Sequence, residues 1–210
     1  MKFRGTKAAG SFDCTKEGCF ELLVTMEADP STLSYGEFSF ESELPPDQAA
    51  EFTDVPAFLL RHRIGLFVVC AESAGLDRSP MYRAAWEKLD VILARRGIWL
   101  LSTTRVERRR EPQWSNVLQI ARCANADITS EDLESVTSHL ANVGRATLRR
   151  CMTFCESSSD SFDAILRLVV AGIIFLDPAD DISPSTTVRL SPPDTMSIDW
   201  LSAQQQLHLR

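Results

Sequence analysis

Two extended runs, Ala57 to Arg61 and Gly65 to Ala71, flank the short basic turn Arg61-His62-Arg63, and no other stretch constrains the chain so tightly. The second run, "GLFVVCA", is almost wholly apolar, as befits a strand covered on both faces. A helix over Met81–Arg96 follows, with Trp86, Leu89, Val91, Ile92 and Leu93 as its apolar stripe and Gly97 where a helix C-terminus needs it. "IWLLSTT" then reads as another buried strand. A helix crossing between two such strands places them in parallel in one sheet. Ahead of the hairpin, Thr15 to Glu27 has helical spacing and stops at Asp29-Pro30, and Leu33 to Glu41 alternates as a strand that "PPDQ" breaks. "GLDRSP" reads as a loop. Residues 1–112 therefore form an α/β domain.

After "RRREPQW" the pattern turns helical. Asn116 to Cys123 is a short helix. Ser130 is placed to cap a second, with Glu131 and Asp132 in its first turn and Leu133, Val136 and Leu140 on one face. Gly144 separates a third around Leu148 and Met152. Phe162, Ile165, Leu166, Val169 and Val170 fall at helical spacing before Gly172. "IIFL" and "TTVRL" read as two strands around a turn. Helices followed by a hairpin are the pattern of a winged helix, expected over residues 113–190. Residues 191–210 read as a flexible C-terminal arm, with Trp200 and Leu201 as a docking anchor in a polar tail.

The formal net charge of −7 opposes strong independent DNA binding, because such affinity comes from displacing counterions with Lys and Arg. Basic residues are nevertheless grouped, at Met1–Lys7 and in "RVERRR", Arg105 to Arg110. The six cysteines have no paired C-x-x-C spacing and no histidine at zinc distance, so they read as buried thiols. Cys151 and Cys155, four residues apart, would share a helix face. The longest apolar runs are too short or too interrupted to cross a bilayer, and no apolar stretch follows the basic N-terminus as in a signal peptide. The expectation is a cytoplasmic protein with no membrane partner.

From about Phe12 to Ser191 the chain resembles the TnsA-like transposon endonucleases, a family with a restriction-endonuclease-like nuclease domain followed by a small helical domain. "ELLVTMEADPSTLSYGEFSF" echoes a family phrase of the form "LLDFDP…V.SYEEQP"; "FTDVPAF" and "VVCAES" stand where the family has "YTPDF" and "VEVK". "LARRGIWLLSTTRVERRREPQWSNVLQI" and "LRLVVAGIIFLDPADDISPSTTV" follow in the family's order. The resemblance implies metal-assisted cleavage of one strand at a transposon end, with carboxylates holding Mg²⁺ and a lysine positioning water. It also implies partnership with a transposase or an AAA+ ATPase regulator, and DNA held as part of a complex.

The residues at the matching positions depart from that chemistry. The aspartate of "PDF" corresponds to Ala57, the glutamate of "VEVK" to Cys70, and the lysine to Glu72; the helical acid matches Glu17 or, nearly as well, Cys19. A methyl group binds no Mg²⁺ and a thiol is a soft ligand. No catalytic residue set is intact on this reading, and no metal or other cofactor is expected. The resemblance then implies a non-catalytic subunit bridging transposase or ATPase and transposon-end DNA. The alternative is an active Mg²⁺-dependent endonuclease with a rearranged site built from Asp54, Glu72 and Glu17. DNA contacts are expected at Arg61, Arg63, Arg105, Arg108, Arg109, Arg110, Arg145, Arg149 and Arg150, with solvated, salt-bridged loops as the competing role for the 105–110 cluster. The third helix of the winged-helix region offers Arg167 and little else polar, so it is better suited to packing than to reading bases.

Overall fold

In a computed structural model, residues 1–72, 79–177 and 180–191 are described. The described chain is a mixed α/β protein of two compact units, one made of residues 1–26 and 32–109, the other of 27–31 and 110–191.

The first unit is organised on a four-stranded sheet of order β3-β4-β5-β6. Its elements are β1 (Lys2–Phe3), β2 (Phe12–Asp13), α1 (Cys19–Ala28, whose last turn falls in the other unit), β3 (Thr32–Glu37), α2 (Pro46–Ala49), β4 (Ala57–His62), β5 (Gly65–Ala71), α3 (Pro80–Ala94), β6 (Ile98–Thr103) and α4 (Arg105–Arg108). The hairpin forms as its sequence requires: β4 pairs antiparallel with β5, Ala57 opposite Cys70 and His62 opposite Gly65. β5 then runs parallel to β6, Val68 beside Leu100. α3 makes the crossover. Ser79 caps it by accepting from Tyr82 N–H at 2.9 Å, Pro80 opens it, and Gly97 leaves it with φ +71°.

Strand β5 is buried because its alternating side chains enter two different cores. Val68 and Cys70 join Phe40, Phe52, Leu89 and Leu93 on the α3 face. Phe67, Val69 and Ala71 join Leu22, Leu23 and Tyr35 on the α1 face. Burial of each large side chain contributes roughly 1.5–3 kcal/mol.

Several boundaries differ from the sequence reading. Helix α1 begins at Cys19, because Gly18 at φ +80° ends the preceding turn. Strand β3 stops at Glu37, and Phe40–Ser42 turns as a 3-10 segment that carries Phe40 into the core. "PPDQ" does not merely break the strand, since Pro46 opens the short helix α2. The charged run after Thr104 is helical: Thr104 and Glu107 form a reciprocal capping box that sustains one turn. Residues 75–78 of the expected loop lie outside the described residues.

The second unit contains α5 (Gln113–Arg122), α6 (Ser130–Val143), β7 (Arg145–Thr147), α7 (Leu148–Met152), α8 (Ser161–Val170), β8 (Ile174–Phe175) and β9 (Thr187–Leu190). The three strands form a sheet of order β7-β9-β8. Thr129, not Ser130, caps α6, accepting from Asp132 N–H at 3.1 Å. Asp132 is itself buried and accepts from Ser158 Oγ at 2.6 Å, which ties down the polar turn before α8. Asn116 does the same for the segment before β9: its Nδ2 donates to the Asp180 carbonyl at 2.8 Å and its Oδ1 accepts from Ile182 N–H at 3.2 Å. Helix α8 buries Ala164, Ile165, Leu166, Leu168, Val169 and Val170, positions that wrap more than half of its circumference. It packs on α7, on α5 and on the 3-10 turn Cys123–Asn125.

All six cysteines are free thiols, five of them buried. Helix α7 ends at Met152, so Cys155 lies beyond it and the pair does not share a helix face, although both are buried. Among the described residues no helix is long and apolar enough to cross a membrane. The expected C-terminal arm, apart from Ser191, lies outside the described residues.

Candidate functional site

The hairpin sets Ala57 directly opposite Cys70. Their surroundings are apolar. Both side chains are buried in the cluster of Phe40, Phe52, Tyr82 and Leu89. Burial, reinforced by the charge of Glu72, pushes the Cys70 thiol far above its ordinary pKa, so it is neither a thiolate nucleophile nor a ready metal ligand. A cleft of about 310 Å³ opens beside Ala57, lined among others by Phe12, Lys16, Glu37, Phe38 and Thr53.

The acids named from the sequence do not converge. Asp54 is exposed in the turn before β4. Glu72 follows β5, its N–H donating to the Thr103 carbonyl at 2.9 Å. Glu17 precedes α1 and lies 3.8 Å from Arg105. Among the described residues no group of three His, Cys, Asp or Glu is placed to hold a metal ion. The rearranged set Glu17, Asp54 and Glu72 is therefore not assembled.

What does converge at the end of β5 is arginine. Helix α4 sends Arg108 inward, where it is 8% exposed. Its Nη1 donates to the Thr103 carbonyl and, at 3.2 Å, to Thr103 Oγ1; its Nη2 reaches the Glu72 carbonyl at 3.4 Å. Gly18 makes this possible. A Cβ at Gly18 would stand 2.6 Å from Arg108 Nη2 and 2.5 Å from the Ala71 Cβ. Burial lowers the Arg108 pKa, and the charges of Glu21, Glu17 and Glu107 oppose that shift, in that order.

The sequence reading missed Glu21. It lies in the first turn of α1, is 7% exposed, and receives Arg109 Nη2 at 2.6 Å and Nε at 3.0 Å on one oxygen. Burial alone would raise its pKa; the hydrogen bond from Arg109, its own backbone hydrogen bond, and the charges of Arg109 and Arg108 bring it below the usual carboxylate value. An acid within a mostly apolar helix was the available signal.

The arginines expected on DNA thus divide. Arg105 faces Glu17, Arg109 holds Glu21, and Arg108 is enclosed, so the 105–109 cluster is largely engaged within its own unit. Arg61 is exposed on β4, Arg63 in the hairpin turn, and Arg110 beyond α4. Arg145, Arg149 and Arg150 are exposed in the second unit.

No protein-family model matches the chain, and a comparison with curated proteins gives no match either.

Proposed function

We propose that this chain is a non-catalytic TnsA-like subunit of a DNA-transposition complex, bridging a transposase or AAA+ ATPase regulator and transposon-end DNA. One observation carries the reading: Ala57 and Cys70 stand opposite each other in the hairpin, where the resembling family holds two acids, and both are packed into apolar core. An antiparallel hairpin followed by a parallel crossover strand, with α1 and α3 on opposite faces, supports a restriction-endonuclease-like first domain. The order α6-β7-α7-α8-β8-β9, with β9 central in its sheet, supports a winged helix in the second. Its third helix is enclosed by α5 and α7, which favours protein contacts over base reading. A cytoplasmic location and the absence of a resident cofactor belong to the same reading.

The alternative of an active Mg²⁺-dependent endonuclease draws less support, because Glu17 and Glu21 face arginines and Asp54 stands apart. The test is direct. The purified chain, with Mg²⁺ or Mn²⁺, alone and with the transposase encoded beside it, is expected to leave transposon-end DNA uncut and to co-elute with the transposase or its ATPase. Cleavage that disappears in Glu72→Ala or Asp54→Ala would overturn the non-catalytic assignment. Failure to co-elute with either protein would overturn the transposition assignment.

A further inference from the structure

The second unit carries a charged surface that α8 does not explain. Across the sheet β7-β9-β8, Arg145 lies directly opposite Arg189, and Arg189 directly opposite Phe175. Directly opposed residues share a face with their Cβ atoms about 5 Å apart, so two arginine side chains leave the sheet from neighbouring positions. Thr147 opposite Thr187 forms the next row of the same face. The intervening row, Ala146 opposite Val188, points the other way, and Val188 is fully buried. The outward face is therefore two arginines, two threonines and one phenylalanine. Arg149 and Arg150 follow at once in the first turn of α7, both exposed.

Like charges placed directly opposite each other destabilise a sheet unless a counter-charge lies between them. Among the described residues no carboxylate forms an ion pair with Arg145, Arg149, Arg150 or Arg189. What holds two of these side chains is aromatic: the Arg189 guanidinium lies 4.8 Å from the Phe175 ring centroid and that of Arg150 lies 5.2 Å from Phe154. Each ring contact holds a guanidinium in place without using its N–H donors on an acceptor. Thr147 Oγ1 accepts from Arg150 N–H at 3.3 Å and keeps its own proton to give.

We infer that this outward sheet face binds the phosphate backbone of duplex DNA, without reading bases. It deepens the DNA contact of the proposed function and rests on that reading for the choice of DNA. Arginine and threonine donors with no carboxylate or amide side chain in the rows suit phosphate oxygens. An acidic peptide fits less well. Phe175, the one apolar side chain in these rows, already lies under the Arg189 guanidinium, which occupies the ring face a peptide anchor would use. The enclosure of α8 removes the usual base-reading element, so the contact follows shape and charge.

The test is fluorescence anisotropy of the full chain with labelled duplexes of unrelated sequence over a range of salt, with polyglutamate as competitor. Similar affinities and a steep fall with salt are expected. Arg145→Ala/Arg189→Ala should lose two phosphate contacts, reducing affinity about a hundredfold near 0.1 M salt and flattening the log–log salt slope by about 1.8. Arg145→Lys/Arg189→Lys should retain most of the affinity, and circular dichroism should show both variants folded. Undiminished binding by the alanine variant, no duplex binding by the native chain, or tighter binding of polyglutamate than of duplex would each overturn the assignment. Loss of the transposase complex with this duplex binding intact would strike the proposed function and spare the surface. An intact complex without duplex binding would do the reverse.

Discussion

Replacing Arg108 tests the central claim about the end of β5. Arg108→Ala removes donors to the Thr103 carbonyl, to Thr103 Oγ1 and to the Glu72 carbonyl. A hydrogen bond from a charged group contributes roughly 1.5–3 kcal/mol. One of these bonds is close and two are long, and removing a buried guanidinium also recovers part of its desolvation cost. The expected loss is about 3 kcal/mol. For a slope of about 2 kcal/mol per molar urea, the unfolding midpoint falls by about 1.5 M. The assay is urea unfolding followed by Trp fluorescence, since Trp86 packs against the α3-face core. Gly18→Ala supplies the second arm of a cycle. Alone, it meets strain at φ +80° and a methyl aimed at the guanidinium, so it displaces the same group. The double variant should therefore be less destabilised than the sum of the singles by about 1 kcal/mol or more. If Arg108→Ala shifts stability by less than about 0.5 kcal/mol, or if the two changes add to within about 0.5 kcal/mol, the buried-arginine argument is wrong.

Two further outcomes follow from the same geometry. Ala57→Asp places a carboxyl in the apolar cluster opposite Cys70 and should cost roughly 3 kcal/mol or more at neutral pH by the same urea assay; an unchanged midpoint would mean that this face is open to water. Glu21 has a depressed folded pKa, so its contribution to stability is present above the unfolded value of 4.5 and is lost as pH falls through the folded value. Arg109→Ala removes the hydrogen bond and charge that most oppose burial, leaving the backbone hydrogen bond and Arg108, so the variant should be destabilised at neutral pH and its acid-side decline should be shallower; unfolding midpoints measured across the acid range decide it.

How much of this could be read beforehand depended on what held each element. Strand β5 was legible because residues entering two cores leave an unbroken apolar run, and α3 because its stripe, Pro80 and Gly97 all agree. Strand β7 is three residues long, and Arg145 was read as part of the helix around Leu148 and Met152; only the pairing with β9 makes this segment a strand. Helix α4 was read as a charge cluster, either contacting DNA or forming a solvated, salt-bridged loop. Its single turn rests on a capping box, and the burial of Arg108 depends on Gly18, ninety positions earlier in the chain, which no local pattern reveals. The hairpin positions Ala57, Cys70 and Glu72 could be located from sequence. That Ala57 and Cys70 lie in the core, and that arginines face Glu17 and Glu21, required the tertiary neighbours.

The arginine partners of Glu17 and Glu21 yield a prediction about divalent cations. A site built from converging carboxylates carries like-charge repulsion when empty, and a bound ion relieves it. At a hundredfold its dissociation constant such an ion adds about 2.7 kcal/mol, which raises the thermal midpoint by several degrees. Here the acids near the end of β5 already have fixed counter-charges: Arg109 on Glu21 at 2.6 Å, Arg105 facing Glu17 at 3.8 Å, and Arg108 between the strand ends. A guanidinium supplied by the chain is present at an effective concentration no free ion matches, and a cation displacing it would have to strip Glu21 of its hydrogen bonds. Thermal unfolding in millimolar Mg²⁺ or Mn²⁺, matched for ionic strength against a monovalent salt, should therefore leave the midpoint unchanged, as should EDTA. In Arg108→Ala/Arg109→Ala the acids lose that compensation, and any midpoint increase with Mn²⁺ should appear only there. A rise of several degrees in the native chain would mean that oxygens other than Glu17 and Glu21 bind the ion, and the arginines would then be bystanders to a working metal site.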